Sequence, residues 1–177
     1  MQVDTKILKE LAKIAAKKNA HNPKITMVRL DGFEGKARLW ATDGHCLVVY
    51  TLDAPAPEVG TSYDVDYLKK LTRDDIIFLE GSSLADKRGT LPLADDQKAP
   101  DIDQVIPARQ DLCRDEYPNH FGVNPELIAR AFDVVRKIES ANLDHPAGRF
   151  QMGADKLSPI RFDYGNCTAI VMPCRIS

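Results

Sequence analysis

The chain has 177 residues, 44% of them hydrophobic and 28% charged, with a formal net charge of −2. That suits one or two globular domains with a real core, and it excludes a protein that grips nucleic acid by bulk attraction, though not one with a local basic face. No apolar run approaches the ~18 residues of a membrane span, and the opening Met1-Gln2-Val3-Asp4-Thr5-Lys6 lacks the apolar core of a signal peptide, so a cytoplasmic protein without a membrane partner is expected.

Ile7, Leu8, Leu11, Ile14 and Ala15 recur at helical spacing and predict a helix from Thr5 to Lys18, capped by Asp4 or Thr5 and ended by Asn22-Pro23. Strands are predicted over Lys24 to Leu30 and Lys36 to Ala41, around the glycine-containing turn Asp31 to Gly35. Asp43-Gly44 predicts a hairpin turn into a third strand, Cys46 to Leu52, because glycine accepts the positive φ of such turns. Ala54-Pro55-Ala56-Pro57 breaks the pattern.

The order then repeats. A short strand (Ser62 to Val65), a short helix (Asp66 to Leu71), a strand (Ile76 to Glu80) and one or two strands within Leu84 to Leu93 follow. Asp95 to Gln110 is polar and proline-bearing, hence a loop. A third copy starts at Phe121-Gly122-Val123, with Asn124 as N-cap and Pro125 at the first position of a helix over Glu126 to Ile138. Arg149 to Gly153, Leu157 to Asp163 and Cys167 to Pro173 are strands, the last two joined by a turn at Tyr164-Gly165-Asn166. The chain is thus three strand–helix–strands units of about 50 residues, a period that suggests a repetitive architecture.

Cys46, Cys113, Cys167 and Cys174 form no C-x-x-C pair, and His21, His45, His120 and His145 show no ligand spacing, so no metal or other cofactor is expected. His45 beside Asp43, with Asp101 and Asp103, is the nearest approach to a catalytic group. There is no P-loop, G-x-S-x-G or H-E-x-x-H, so the protein is read as a non-enzyme.

Three stretches stand out: Ala41-Thr42-Asp43-Gly44-His45, Pro100-Asp101-Ile102-Asp103-Gln104-Val105-Ile106-Pro107, and the terminal Ile170-Val171-Met172-Pro173-Cys174-Arg175-Ile176-Ser177. In this order, and with Phe121 to Phe132 and Ile160 to Ile176, they resemble the bacterial sliding clamp, the DNA polymerase III beta subunit that serves as replicative processivity factor. The resemblance covers most of the chain. It implies an α+β DNA-clamp fold of repeated strand–helix–strands units, with helices on one face of antiparallel sheets. It also implies a complete clamp-like domain over 1–107, a linker over 108–120 and a C-terminal half-domain over 121–177.

In the family the three stretches form a groove for short peptides of DNA polymerases and repair proteins. Carried over by position, that groove would use Thr42, Gly44, His45, Leu47, Pro100, Val105, Ser158, Ile170, Met172 and Pro173. The chemistry suits a peptide site: apolar pockets for anchor side chains, polar groups to fix direction, and a methionine that adapts its shape. Two positions depart from the family pattern. Cys46 stands where it usually has Arg, and Gln104 where it usually has a basic residue. Both remove positive charge, so a different or weaker-binding peptide is expected. Read without the resemblance, Leu47, Ile170 and Met172 are ordinary core residues.

In the clamp ring, helices line the hole and face double-stranded DNA. Lys6, Lys9, Lys13 and Lys17 would share one side of the first predicted helix, opposite its apolar side. Lys69, Lys70 and Arg73 cluster on or beside the second, and Arg130 and Lys137 share a face of the third. Such lysines would contact phosphates weakly and without reading sequence, although a solvated face has the same composition. A half-domain would expose apolar surface and an open strand edge. A homodimer that pairs two halves is therefore expected, and two dimers would hold the twelve units of a clamp ring, a closed tetramer. A monomer with the half-domain packed back on residues 1–107 is the alternative. A peptide-binding adaptor or decoy that kept the groove without encircling DNA is the second reading of function.

Overall fold

The computed structural model describes residues 2–17, 21–58, 60–72, 76–80, 83–86, 89–90, 100–107, 122–139, 148–153 and 157–174, with the backbone alone over 76–90. β1 (Gln2–Asp4) runs into α1 (Thr5–Leu11), where the Asp4 carboxylate caps the helix by accepting from the Lys6 N–H at 2.7 Å. α1 is shorter than its periodicity predicts. Beyond Leu11 the bonds tighten to Lys13 N–H on Glu10 and Ile14 N–H on Leu11, and the Ala16 N–H turns to the Ile25 carbonyl. Ile14 is buried nonetheless, but Lys13 and Lys17 lie past the helix.

β2 (Met27–Phe33) starts later than predicted, after a 3₁₀ turn at Pro23–Ile25, and runs through Asp31-Gly32-Phe33. Its hairpin to β3 (Lys36–Thr42) closes on Glu34 and Gly35, at φ 51° and 79°, the two left-handed residues that a two-residue hairpin turn requires. β4 (Cys46–Pro55) follows the Asp43-Gly44 turn. β5 (Thr61–Asp64) leads into α2 (Val65–Leu68), which starts and ends earlier than predicted and is capped by Asp64. β6 (Ile76–Glu80), β7 (Ser83–Asp86) and β8 (Gly89–Thr90) complete the second unit. α3 (Pro125–Glu139) begins as predicted, with the Asn124 side chain accepting from the Glu126 N–H at 2.9 Å. β9 (Arg149–Met152), β10 (Ile160–Tyr164) and β11 (Cys167–Val171) end the described chain, with Gly165 at φ 58° in the last hairpin.

Two antiparallel sheets result, ordered β1-β6-β7-β8 and β5-β2-β3-β4-β11-β10-β9. The first two units exchange their leading strands: β1 lies along β6, and β5 along β2. The third unit extends the first unit's sheet, because β11 pairs with β4 from Cys167↔Tyr50 to Val171↔Cys46. The half-domain's edge at β11 is thus filled by β4, and among the described residues the sheet ends at β5 on one side and β9 on the other.

Strand alternation gives the large sheet two apolar faces. Ala37, Leu39, Ala41, Val48, Cys167, Ala169 and Val171 join the core beneath the helices, with Leu8 and Leu11 of α1, Leu68 of α2, and Ala131, Val134, Val135 and Ile138 of α3. Trp40, Leu47, Val49 and Ile170 point the other way and form a second cluster with Ile102. The architecture is α+β, with helices on one face of antiparallel strands.

Candidate functional site

The site begins at the turn Thr42-Asp43-Gly44-His45, which local hydrogen bonds determine almost completely. The Thr42 hydroxyl accepts from the Gly44 N–H at 3.0 Å and donates to the Cys46 carbonyl at 2.8 Å. Asp43 Oδ1 accepts from the N–H groups of His45 (2.9 Å) and Cys46 (2.8 Å), as aspartate does in tight turns. Gly44 supplies the φ of 90° that a side chain would resist. The second carboxylate oxygen of Asp43 accepts from Arg130 of α3, so the turn is tied to a helix far away in sequence.

β4 leaves this turn toward β11, and two contacts join the turn to the C-terminal stretch. Leu47 and Ile170 are ladder partners, and the Met172 N–H donates to the His45 carbonyl at 2.9 Å. The loop 101–107 lies against the same sheet face. Ile102 packs with Trp40, Leu47, Val49 and Ile170, while the Val105 and Ile106 N–H groups return to its carbonyl at 3.1 and 3.2 Å. Arg38 holds the loop from its charged side, bonding Asp31 at 2.5 Å and Asp103 at 2.6 Å. Burial works against its charge, but the Asp103 and Asp31 carboxylates outweigh that and raise its pKa above the ordinary arginine value.

Thr42, Gly44, His45, Leu47, Ile170 and Met172 are therefore brought together at one end of this face. Leu47 and Ile170 are buried beneath Ile102, as in the reading of these residues as core, whereas Val105 is 41% exposed and Met172, Pro173 and Pro100 are half-buried. His45 and Gly44 are exposed. Ser158 sits two residues ahead of Ile160, whose partner is Val171. Further along the same face lies a cleft of about 910 Å³, lined by Phe33, Arg38, Val49, Asp103, Ile106 and Arg161 among others. None of the ten residues carried over for the peptide groove lines it. Sequence reasoning left Ile102 and Trp40 out of the site and read Asp43 as a turn residue beside His45, without its bonds to the turn N–H groups and to Arg130. The signals were present: Ile102 is the first apolar residue of its stretch, and Asp before Gly-His is the residue that bonds its own turn.

The departure at Cys46 has a structural setting. Its side chain faces the core under the helices, and burial, aided by Asp43 and opposed by Arg130, pushes the thiol up to about 12. It offers no charge at the turn. Gln104 is exposed and donates to Asp101 at 3.0 Å.

The basic residues divide. Lys9 donates to the Leu71 carbonyl at 2.7 Å, joining α1 to the segment that follows α2. Lys13 pairs with Glu10 at 2.5 Å, Lys137 with Asp133 at 2.5 Å, and Arg130 with Asp43. Lys17, Lys69 and Lys70 are exposed, Lys6 is half-buried on α1, and Arg73 lies outside the described residues. The expected four-lysine stripe on a single helix is not formed, because α1 stops at Leu11. Among the described residues, no group of three or more His, Cys, Asp or Glu side chains could hold a metal ion, and no helix is long and apolar enough to cross a membrane.

No family model matches the chain, and no curated protein does. Solved structures do. The DNA polymerase III beta subunit of Thermotoga maritima superposes with a TM-score of 0.66 at 17% identity, covering 100% of this chain and 65% of that one. A DNA polymerase sliding clamp of Pseudomonas aeruginosa gives 0.66 at 18%, covering 99% and 66%. That of Bacillus subtilis gives 0.65 at 16%, covering 100% and 64%. The chain has the fold of these clamps and spans about 65% of the length of the solved structures it matches.

Proposed function

We propose that this chain is a sliding-clamp-like replication factor. Its sheet face receives short clamp-binding peptides of DNA polymerases or repair proteins, and its helix side meets double-stranded DNA weakly and without sequence preference. One observation carries the peptide reading. Three stretches far apart in sequence, Thr42–His45, 100–107 and 170–173, converge where β4 meets β11. Val105, Met172 and Pro173 supply accessible apolar surface for an anchor side chain, resting on Ile102, which covers Leu47 and Ile170. His45 and the locked turn supply polar groups at fixed positions. Catalysis has no part in this reading.

Cys46 and Gln104 leave this site without the two positive charges usual at these positions, which favours a peptide less acidic than the usual clamp ligand. Calorimetric titration of a clamp-binding peptide into the wild-type chain and into Met172→Asp tests the assignment, since a carboxylate in an apolar pocket should abolish binding.

A second reading, an adaptor that binds the peptide without encircling DNA, draws support from the basic residues. Lys9, Lys13, Arg130 and Lys137 already have partners within the chain, which leaves less free positive charge for phosphates.

A further inference from the structure

Arg130 and Lys137 share a face of α3, two helical turns apart, but their partners differ in kind. Lys137 pairs with Asp133 of its own helix, a contact that any charged helix face makes. Arg130 instead bonds Asp43, 87 positions away and on the first unit's turn. The Asp43 side chain is 15% exposed and that of Arg130 35%, so the pair is partly shielded from water. Arg130 is also within hydrogen-bonding reach of the Cys46 sulfur. One guanidinium thus spans the turn, from its second residue to the first residue of β4.

The two oxygens of Asp43 divide the work. Oδ1 accepts from the His45 and Cys46 N–H groups and sets the internal shape of the turn. Oδ2, held by Arg130, sets where that turn sits against α3. The His45 carbonyl then accepts from the Met172 N–H at 2.9 Å, beside the half-buried Met172 and Pro173. A line of contacts therefore runs from α3 through Asp43 and His45 to the C-terminal stretch. α3 is a firm base for it, because Ala131, Val134, Val135 and Ile138 are buried in the core beneath the helices.

The geometry points to Arg130 as a positioning residue of the peptide site, lent by the third unit to a turn of the first, and not as a contact to DNA. A guanidinium bonded to a carboxylate must leave it before it can serve a phosphate. A turn already held in place loses less freedom when a peptide arrives, so removal of the tie weakens peptide binding. The inference rests on the peptide reading of this face.

Calorimetric titration of a clamp-binding peptide into the full chain and its variants tests it, with duplex DNA binding at low salt measured alongside. Arg130→Met should weaken the peptide by about 5-fold, the affinity equivalent of one partly exposed ion pair, and leave duplex affinity unchanged. Arg130→Lys keeps the charge without the planar fork and should recover part of the loss. Arg136→Met removes a 73%-exposed cation of the same helix, paired with Asp133, and should not change peptide binding. Circular dichroism and urea unfolding establish that each variant is folded at the temperature of the titration. Equal peptide losses in Arg130→Met and Arg136→Met would overturn the role, since they would trace to the charge of the helix. So would an Arg130→Met that loses duplex binding and keeps the peptide. Wild-type binding that Met172→Asp abolishes and Arg130→Met leaves intact would overturn this role alone, whereas no binding by wild type would overturn the peptide reading and this role together.

Discussion

Replacing Asp43 in two ways should separate the turn from its tie to α3. Asp43 accepts two backbone N–H groups through one oxygen and Arg130 through the other. Asp43→Ala removes all three bonds. The His45 N–H is exposed and regains water, while the Cys46 N–H is part-buried and pays more for its loss. With about 0.5–1.5 kcal/mol for each backbone bond and up to ~1 kcal/mol for a partly exposed ion pair, the loss should be about 2–3 kcal/mol. Asp43→Asn keeps a neutral acceptor for the N–H groups but turns its NH2 toward Arg130, losing both the charge and the acceptor there, so about 1 kcal/mol is expected. Urea unfolding at neutral pH measures both. A cycle with Arg130→Met, which keeps the aliphatic stem, should give a coupling of about 1 kcal/mol with Asp43→Asn. Equal losses for Asn and Ala, or additive effects with Arg130→Met, would refute the view that helix and turn are joined at this pair.

Other consequences are as direct. Arg38→Met should cost about 1–2 kcal/mol, because Arg38 is 7% exposed but Asp103, at 43%, can rehydrate; the Val105 and Ile106 amides should then exchange hydrogen faster. Among Cys46, Cys167 and Cys174, only the exposed Cys174 should react with a thiol reagent in the folded protein, since burial raises the pKa of the other two thiols; mass spectrometry of labelled peptides reads this out. Replacing Lys6, Lys9, Lys13 and Lys17 by Glu should weaken duplex DNA association at low salt, and an unchanged affinity would remove the DNA-facing role.

What the sequence revealed follows from the range of each signal. α3 was legible because Asn124-Pro125 and the apolar repeat are local and agree with one another. α1 was read too long because Ile14 is buried from a turn and so continues the helical period after the helix has ended. β2 was displaced because Glu34, an ordinary residue by type, adopts a left-handed φ and moves the hairpin turn forward. The β4–β11 ladder joins residues more than a hundred positions apart, and no spacing rule encodes it. Family resemblance supplied the peptide-site residues, yet the cover of Ile102 over Leu47 and Ile170 emerges only from packing. Arg130 reads as surface charge on a helix, because its partner Asp43 sits on another element.

The central claim is that the junction of β4, β11 and the loop 101–107 binds a clamp-type peptide. The most direct test is the fluorescence anisotropy of a labelled clamp-binding peptide titrated with the wild-type chain and with Met172→Asp. The account predicts saturable binding by wild type and none by Met172→Asp, with unfolding curves that show both proteins folded. Binding of equal strength to both, or no binding to wild type, would contradict it.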